Sequence, residues 1–194
     1  MTRTKCGLPL VYESNKDNRE NTVYASSTFE NVKSQVSEIL NADPKLHAGA
    51  IAQQLNLTEG EVVFAFPEEL VVRLAGEHAK AILEDLPSWG PVTSIVHSMG
   101  SIFEVKAPFP KGKEARGYYN LMGKEGEMHG HLRLDLVTNI ALVSKEFMGQ
   151  ESYFIGFFAE QGECVFKVYL GRDKQRKLFP EQIEKFNGLK QQYI

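Results

Sequence analysis

The sequence predicts an α+β fold: a large antiparallel β-sheet with a small N-terminal helical cap and a C-terminal amphipathic helix. Two observations carry this reading. Between Pro91 and Gly171 the chain breaks into short segments rich in Val, Ile, Phe and Tyr, divided by clusters of Gly, Pro, Asn and Glu. The turns "SMG", "GKEG" and "EQGE" are hairpin-sized, and links that short force successive strands to run antiparallel. On either side of this region the apolar residues recur at helical spacing instead.

Residues 1–26 are polar, contain the run "ESNKDNREN" and lack clear periodicity, so a flexible N-terminal extension is expected there. Residues 27–194 read as a single domain, with the helical cap over 28–66 and the sheet and its helices over 68–194. In "TFENVKSQVSEILNAD" (28–43), Phe29, Val32, Val36, Ile39 and Leu40 share one helical face, with Thr28 the expected N-cap. "PKLHAGAIAQQLNL" (44–57) gives a second helix through Leu46, Ile51, Ala52 and Leu55. Thr58 and Glu61 then stand at capping-box spacing for a third. Three short helices in this order resemble a helix-turn-helix. The third carries Glu59 and Glu61 and no Arg or Lys, which would repel DNA phosphates, so a cap on the main sheet is the expected role.

"EELVVRL" (68–74) is strand-like, and "EHAKAILEDLPSWG" (77–90) is a helix ending before Pro87. The strand segments are "PVTSIVHS", "SIFEVKA", "GYYNLM", "EMHGHLRLD", "TNIALVSK", "SYFIGFFA" and "CVFKVYLG". "LFPEQIEKFNGL" is the amphipathic helix that follows, with Phe179, Ile183, Phe186 and Leu189 on its apolar side.

Hydrophobic residues make up 42% and charged residues 24% of the 194, the composition of an ordinary soluble globular protein. The net charge of -3 provides no bulk attraction to nucleic acid or to an anionic membrane. Cys6 and Cys164 lie far apart without CxxC spacing, which argues against a zinc site and against a disulfide scaffold. No apolar run approaches a membrane span or a secretory signal, so the cytoplasm is the expected location.

The densest chemistry lies in "RGYYNLMGKEGEMHGHLRLD" (116–135). His129 and His131 share a strand face, whereas Tyr118 and Tyr119 point to opposite faces. Register decides which tyrosine meets which histidine. A four-residue loop 123–126 sets Tyr118 opposite His131; a five-residue loop 123–127 sets Tyr119 there instead. A zinc site would need a third ligand such as His97 or Asp135, and nucleophilic catalysis at Ser98 lacks an orienting carboxylate.

The motifs G-Y-x-N-L, G-K-x-G, G-H, K-x-F-M-G and L-G-R-D occur here in an order that resembles the cytosolic haem-utilisation carrier proteins of the HutX/ChuX type, over roughly residues 30–190. The resemblance implies a homodimeric intracellular haem binder that hands its cargo, haem b, to a haem-degrading enzyme in iron acquisition from haem. It further implies Tyr118 as the axial iron ligand and His97 and His131 as haem-binding residues. His129 stands outside the family pattern. Many relatives carry Phe where this chain has Tyr119, which leaves the ligand open between Tyr118 and Tyr119. Two other readings use the same features: a haem-degrading enzyme with the same pocket, and a haem-responsive DNA-binding regulator built on the N-terminal helices.

Haem is an apolar plate with two carboxylates and one Lewis-acid iron, so its binder needs a floor, a ligand and cations at the rim. Phe103, Phe154, Phe157, Phe158 and Phe166 are candidate floor residues, although large aromatics more often fill cores. Arg116, Lys113 and Arg133 are candidate propionate partners, with Arg116 foremost because it precedes Tyr118 by two residues. A free tyrosine ionises at about pH 10, so a phenolate ligand depends on ferric iron and on neighbouring donors.

Overall fold

The strand-rich half of the chain forms two antiparallel sheets. A computed structural model describes the backbone of residues 19–193 and the side chains from Thr28 to Tyr193. Six strands make the main sheet: β1 (Val71–Ala75), β2 (Pro91–Ser98), β3 (Ser101–Pro108), β7 (Asn139–Ser144), β8 (Tyr153–Phe158) and β9 (Cys164–Tyr169), in the spatial order β1-β7-β8-β9-β2-β3. The small sheet is β4 (Gly112–Ala115), β5 (Tyr118–Met122) and β6 (His129–Leu132), in that order. The expected α+β architecture is borne out, with the three-stranded sheet as an addition. Strand β4, "GKEA", has no β-branched or aromatic residue to announce it; its ladder with β5 makes it a strand.

Helices α1 (Arg19–Ala42), α2 (Ala48–Leu55) and α3 (Glu59–Phe64) cover one face of the main sheet. Val36, Ile51, Val62, Val63 and Phe64 pack there against Ala141, Val143, Phe154 and Phe158. On the opposite face, Ile140, Leu142, Ile155, Phe157, Phe166 and Val168 pack with α4 (Ala79–Asp85), α5 (Pro180–Gln192) and the inner side of the small sheet. The two faces of β7, β8 and β9 therefore feed two cores. Four of the five candidate floor phenylalanines are consumed by these cores: Phe157 stacks on Phe166 at 4.2 Å between ring centroids, and Phe154 and Phe158 lie under the cap. Only Phe103 of that set is exposed, at 60%.

The helix ends follow local chemistry. Thr58 and Glu61 form the expected capping box, and His47 caps α2 by accepting a hydrogen bond from Ala50 N at 3.2 Å. Thr28 is not an N-cap. Helix α1 already runs through residues 19–28, because "RENTVYASS" before Thr28 contains no Gly or Pro to stop it. Residues 1–18 of the expected extension lie outside the described residues. Helix α3 cannot serve as a recognition helix, since Gly60–Phe64 are all buried.

Helix α3 is also tied down by charge. The Lys167 ammonium on β9 donates to Glu59 Oε1 at 2.6 Å, with the two side chains only 5% and 15% exposed. An ion pair this deep is kept by its geometry, because either partner alone would be a buried unpaired charge.

The small sheet is seated by Tyr119, which is 2% exposed. Its ring lies over Gly112, where an added Cβ would stand 2.0 Å from the ring carbon Cε1. Glycine is therefore required at 112 by close approach.

Two expectations follow. Glu59→Gln should cost about 3–5 kcal/mol in urea unfolding by stranding Lys167, and Glu59→Gln/Lys167→Met should recover most of that loss; a double variant no more stable than the single one would show that the pair is not the tie. Gly112→Ala should cost about 1–3 kcal/mol by overpacking against Tyr119, read as a lowered thermal midpoint.

Candidate functional site

The β5–β6 hairpin takes neither of the two loop lengths expected from the sequence. Tyr119 pairs with Leu132, Asn120 with His131, Leu121 with Gly130 and Met122 with His129, leaving a six-residue loop, 123–128. Met128, the last loop residue, packs its side chain on the core. Glu127 closes the loop by accepting a hydrogen bond from Lys124 N at 2.8 Å. A shift of two residues from the four-residue loop preserves side-chain parity. Tyr118 and His131 thus share the outer face as diagonal neighbours, their ring centroids 5.8 Å apart and edge-to-face at 65°. The expectation that only the 123–126 loop would bring them together is corrected.

Tyr118 is 41% exposed, whereas Tyr119 belongs to the core. Asn120, which sequence reasoning passed over, organises the outer face. Its amide nitrogen donates to the carbonyls of Lys113, Ala115 and Tyr118 at 3.0–3.1 Å. That orientation turns Asn120 Oδ1 toward His131 Nδ1, 2.6 Å away. An amide oxygen only accepts, so Nδ1 carries the proton and Nε2 of a neutral ring is left as the open lone pair. The available signal was its place in G-Y-x-N-L, two residues after Tyr118 and hence on the same face.

Cations border this face. The Arg133 guanidinium lies 6.0 Å from the Tyr118 ring centroid. It grips Asp135 through two bonds of 2.7 and 2.5 Å. That pair holds the Asp135 carboxyl below the usual carboxylate range and raises the Arg133 ionisation, Tyr118 adding to the latter to a smaller degree. Asp135 is thereby occupied and is no third metal ligand; among the described residues no group of three or more His, Cys, Asp or Glu is arranged to hold a metal ion. Lys113 faces Asn120 across the β4–β5 ladder. Arg116 occupies the two-residue turn before Tyr118 with φ +57° and Gly117 with φ +77°, the left-handed pair of a type I′ hairpin, and its side chain is exposed. His129 lies on the same outer face, opposite Met122.

His97 is elsewhere. It extends from β2 on the helical-cap side of the main sheet, with Nδ1 3.9 Å from Glu59 Oε2. Partial burial foremost, and then the Lys167 charge, push its ionisation below the usual histidine range, against the opposing pull of Glu59. Tyr118 lies beyond the opposite face of that sheet, on the far side of the small one. One chain therefore brings Tyr118, His131, Arg133 and the neighbouring Arg116 to one face and leaves His97 apart.

A phenol oxygen, an oriented imidazole and a rim of guanidinium and ammonium groups suit a hard Lewis acid accompanied by carboxylates.

Comparison with known proteins agrees with this fold. The chain is 57% identical over 166 residues to the intracellular heme transport protein HutX of Vibrio cholerae, covering 86% of each chain. The crystal structure of an Erwinia carotovora protein superposes with a TM-score of 0.78 at 31% identity, covering 82% of this chain and 98% of that one. The heme-binding protein ChuX superposes with a TM-score of 0.73 at 32% identity, covering 81% of this chain and 97% of that one. Residues 72–189, which include every strand of both sheets but β1's first residue, match the family model for haem utilisation ChuX/HutX, and the chain belongs to that family.

Proposed function

We propose that this protein binds ferric haem b on the outer face of the β5–β6 hairpin and carries it through the cytoplasm to a haem-degrading enzyme, in the acquisition of iron from haem. The observation that carries the reading is the edge-to-face pairing of Tyr118 with His131 beside Arg133. The transport role is supported by the relative 57% identical to this chain, named a heme transport protein, and by ChuX, named a heme-binding protein.

In this reading Tyr118 supplies a phenolate to ferric iron. The phenol must give up its proton, and the neighbouring His131 ring is the candidate acceptor: Asn120 keeps the ring proton on Nδ1, which leaves the Nε2 lone pair free. The resulting imidazolium and the Arg133 guanidinium, both neighbours of the Tyr118 ring, would then stabilise the phenolate. Arg116 and Lys113 are the cations available to the propionates, and Arg133, already paired with Asp135, offers only its remaining N–H donors. Phenolate is a hard donor matched to ferric rather than ferrous iron, so reduction loosens the complex and favours release.

His97 enters the site only from a second copy, since the main sheet separates it from Tyr118 within one chain. A homodimer is further supported by β3. This strand is an edge of the main sheet, and its Ile102 and Phe103 are 62% and 60% exposed.

Ferric haem titration followed by absorption spectra tests the ligand. Tyr118→Phe should abolish the high-spin phenolate spectrum and weaken binding by about tenfold or more, equivalent to ~1.4 kcal/mol. Tyr119→Phe should leave both unchanged, because the Tyr119 hydroxyl is buried without a hydrogen-bond partner among the described residues. Dithionite should release haem from the wild type; affinity unaltered by reduction would contradict the phenolate mechanism. For the dimer, Ile102→Lys/Phe103→Lys should sediment as a monomer, and a variant that still sediments as a dimer would remove β3 from the interface.

A further inference from the structure

Two of the ordered motifs, K-x-F-M-G (145–149) and L-G-R-D (170–173), contribute nothing to the Tyr118 face. Gln150 and Glu151, which follow the first, and Arg172, from the second, line a separate open groove of about 480 Å³ between the β7–β8 connection and the β9–α5 connection. Leu178 and Ile183 give it an apolar floor, and Arg172, Arg176, Lys177 and Glu151 stand around it.

The groove is built by its own backbone. Arg172 donates from its guanidinium to the carbonyl of Arg176 at 2.9 Å and to the carbonyl of Glu151, which joins the two connections. Asp173 Oδ1 accepts from the amides of Gln175 and Lys177 at 2.9 and 2.8 Å, which folds the "DKQRK" turn and engages the one carboxylate in it. Glu151 in turn accepts a hydrogen bond from the Tyr153 hydroxyl. Among the described residues, Arg172, Arg176 and Lys177 form no ion pair. Three unneutralised cations and one carboxylate thus stand around this open groove, in a chain whose net charge is -3. Arg172 is fixed by two carbonyls and keeps further N–H donors, so its fork is preorganised for an acceptor.

We propose that this groove binds a compact multivalent oxyanion, one bearing two or more carboxylate or phosphate groups. Its volume lies in the range of small-molecule sites. Such groups occur on free small anions and as consecutive acidic side chains of a polypeptide, so both sources enter the test.

The experiment is an amide NMR titration of the full chain with citrate, inorganic pyrophosphate and tri-glutamate, at ionic strength held constant with sodium chloride. Arg176→Ala/Lys177→Ala serves as the variant; both side chains are exposed, and only their backbone groups hold the turn. Saturable shifts at Gln150 and Arg172–Leu178 are expected, with affinity about tenfold or more lower in the variant. Saturation by citrate or pyrophosphate identifies a free small anion, and saturation by tri-glutamate alone identifies polypeptide carboxylates. The proposal is overturned if no probe saturates, if the variant binds equally well, or if sodium chloride alone reproduces the shifts.

Discussion

The burial of Tyr119 against Gly112 is the constraint on which the candidate site depends. Adjacent strand residues point to opposite faces, so seating one tyrosine in the core forces its neighbour out. The driving force is the large apolar area of the aromatic ring, and only glycine at 112 leaves room for it. With Tyr119 anchored, Tyr118, Asn120 and, across the ladder, His131 are assigned to the outer face together. Asn120 then converts that face into an ordered site. One side-chain amide fastens the β4–β5 turn and also orients the His131 ring. The same geometry explains how two adjacent tyrosines take different surroundings, one packed in the core and one exposed on the outer face.

A second constraint acts across the main sheet. The Lys167–Glu59 pair locks α3 onto the strands and holds His97 at its margin, on the side away from Tyr118. The cap face is thereby closed by apolar packing and buried charge, whereas the small sheet presents polar groups outward. An account that assigns both His97 and Tyr118 to one haem has to involve two chains.

Much of the fold was legible because strand composition and turn chemistry agreed. "PVTSIVHS" is β2 to the residue, and Thr58 with Glu61 forms the capping box of α3. What escaped depended on tertiary context. Strand β4 has the composition of a loop and exists because β5 pairs with it. The hairpin loop has six residues, a length that no local pattern records, because four- and six-residue loops give every side chain the same parity. The Thr28 cap signal was overridden by a breaker-free run before it. In the candidate site, strand parity correctly split the tyrosines, but it left open which of them faced inward. The side of the sheet reached by His97 was also unreadable, since it depends on how two sheets and a cap stack. Asn120 was visible as a motif letter, and its physical role emerged only with three carbonyls around it.

The most direct test of the account is resonance Raman spectroscopy of the ferric haem complex prepared with ring-deuterated tyrosine. An iron-bound Tyr118 predicts enhanced phenolate modes that shift with the label. A spectrum of imidazole-ligated haem with no label-sensitive phenolate bands would contradict it.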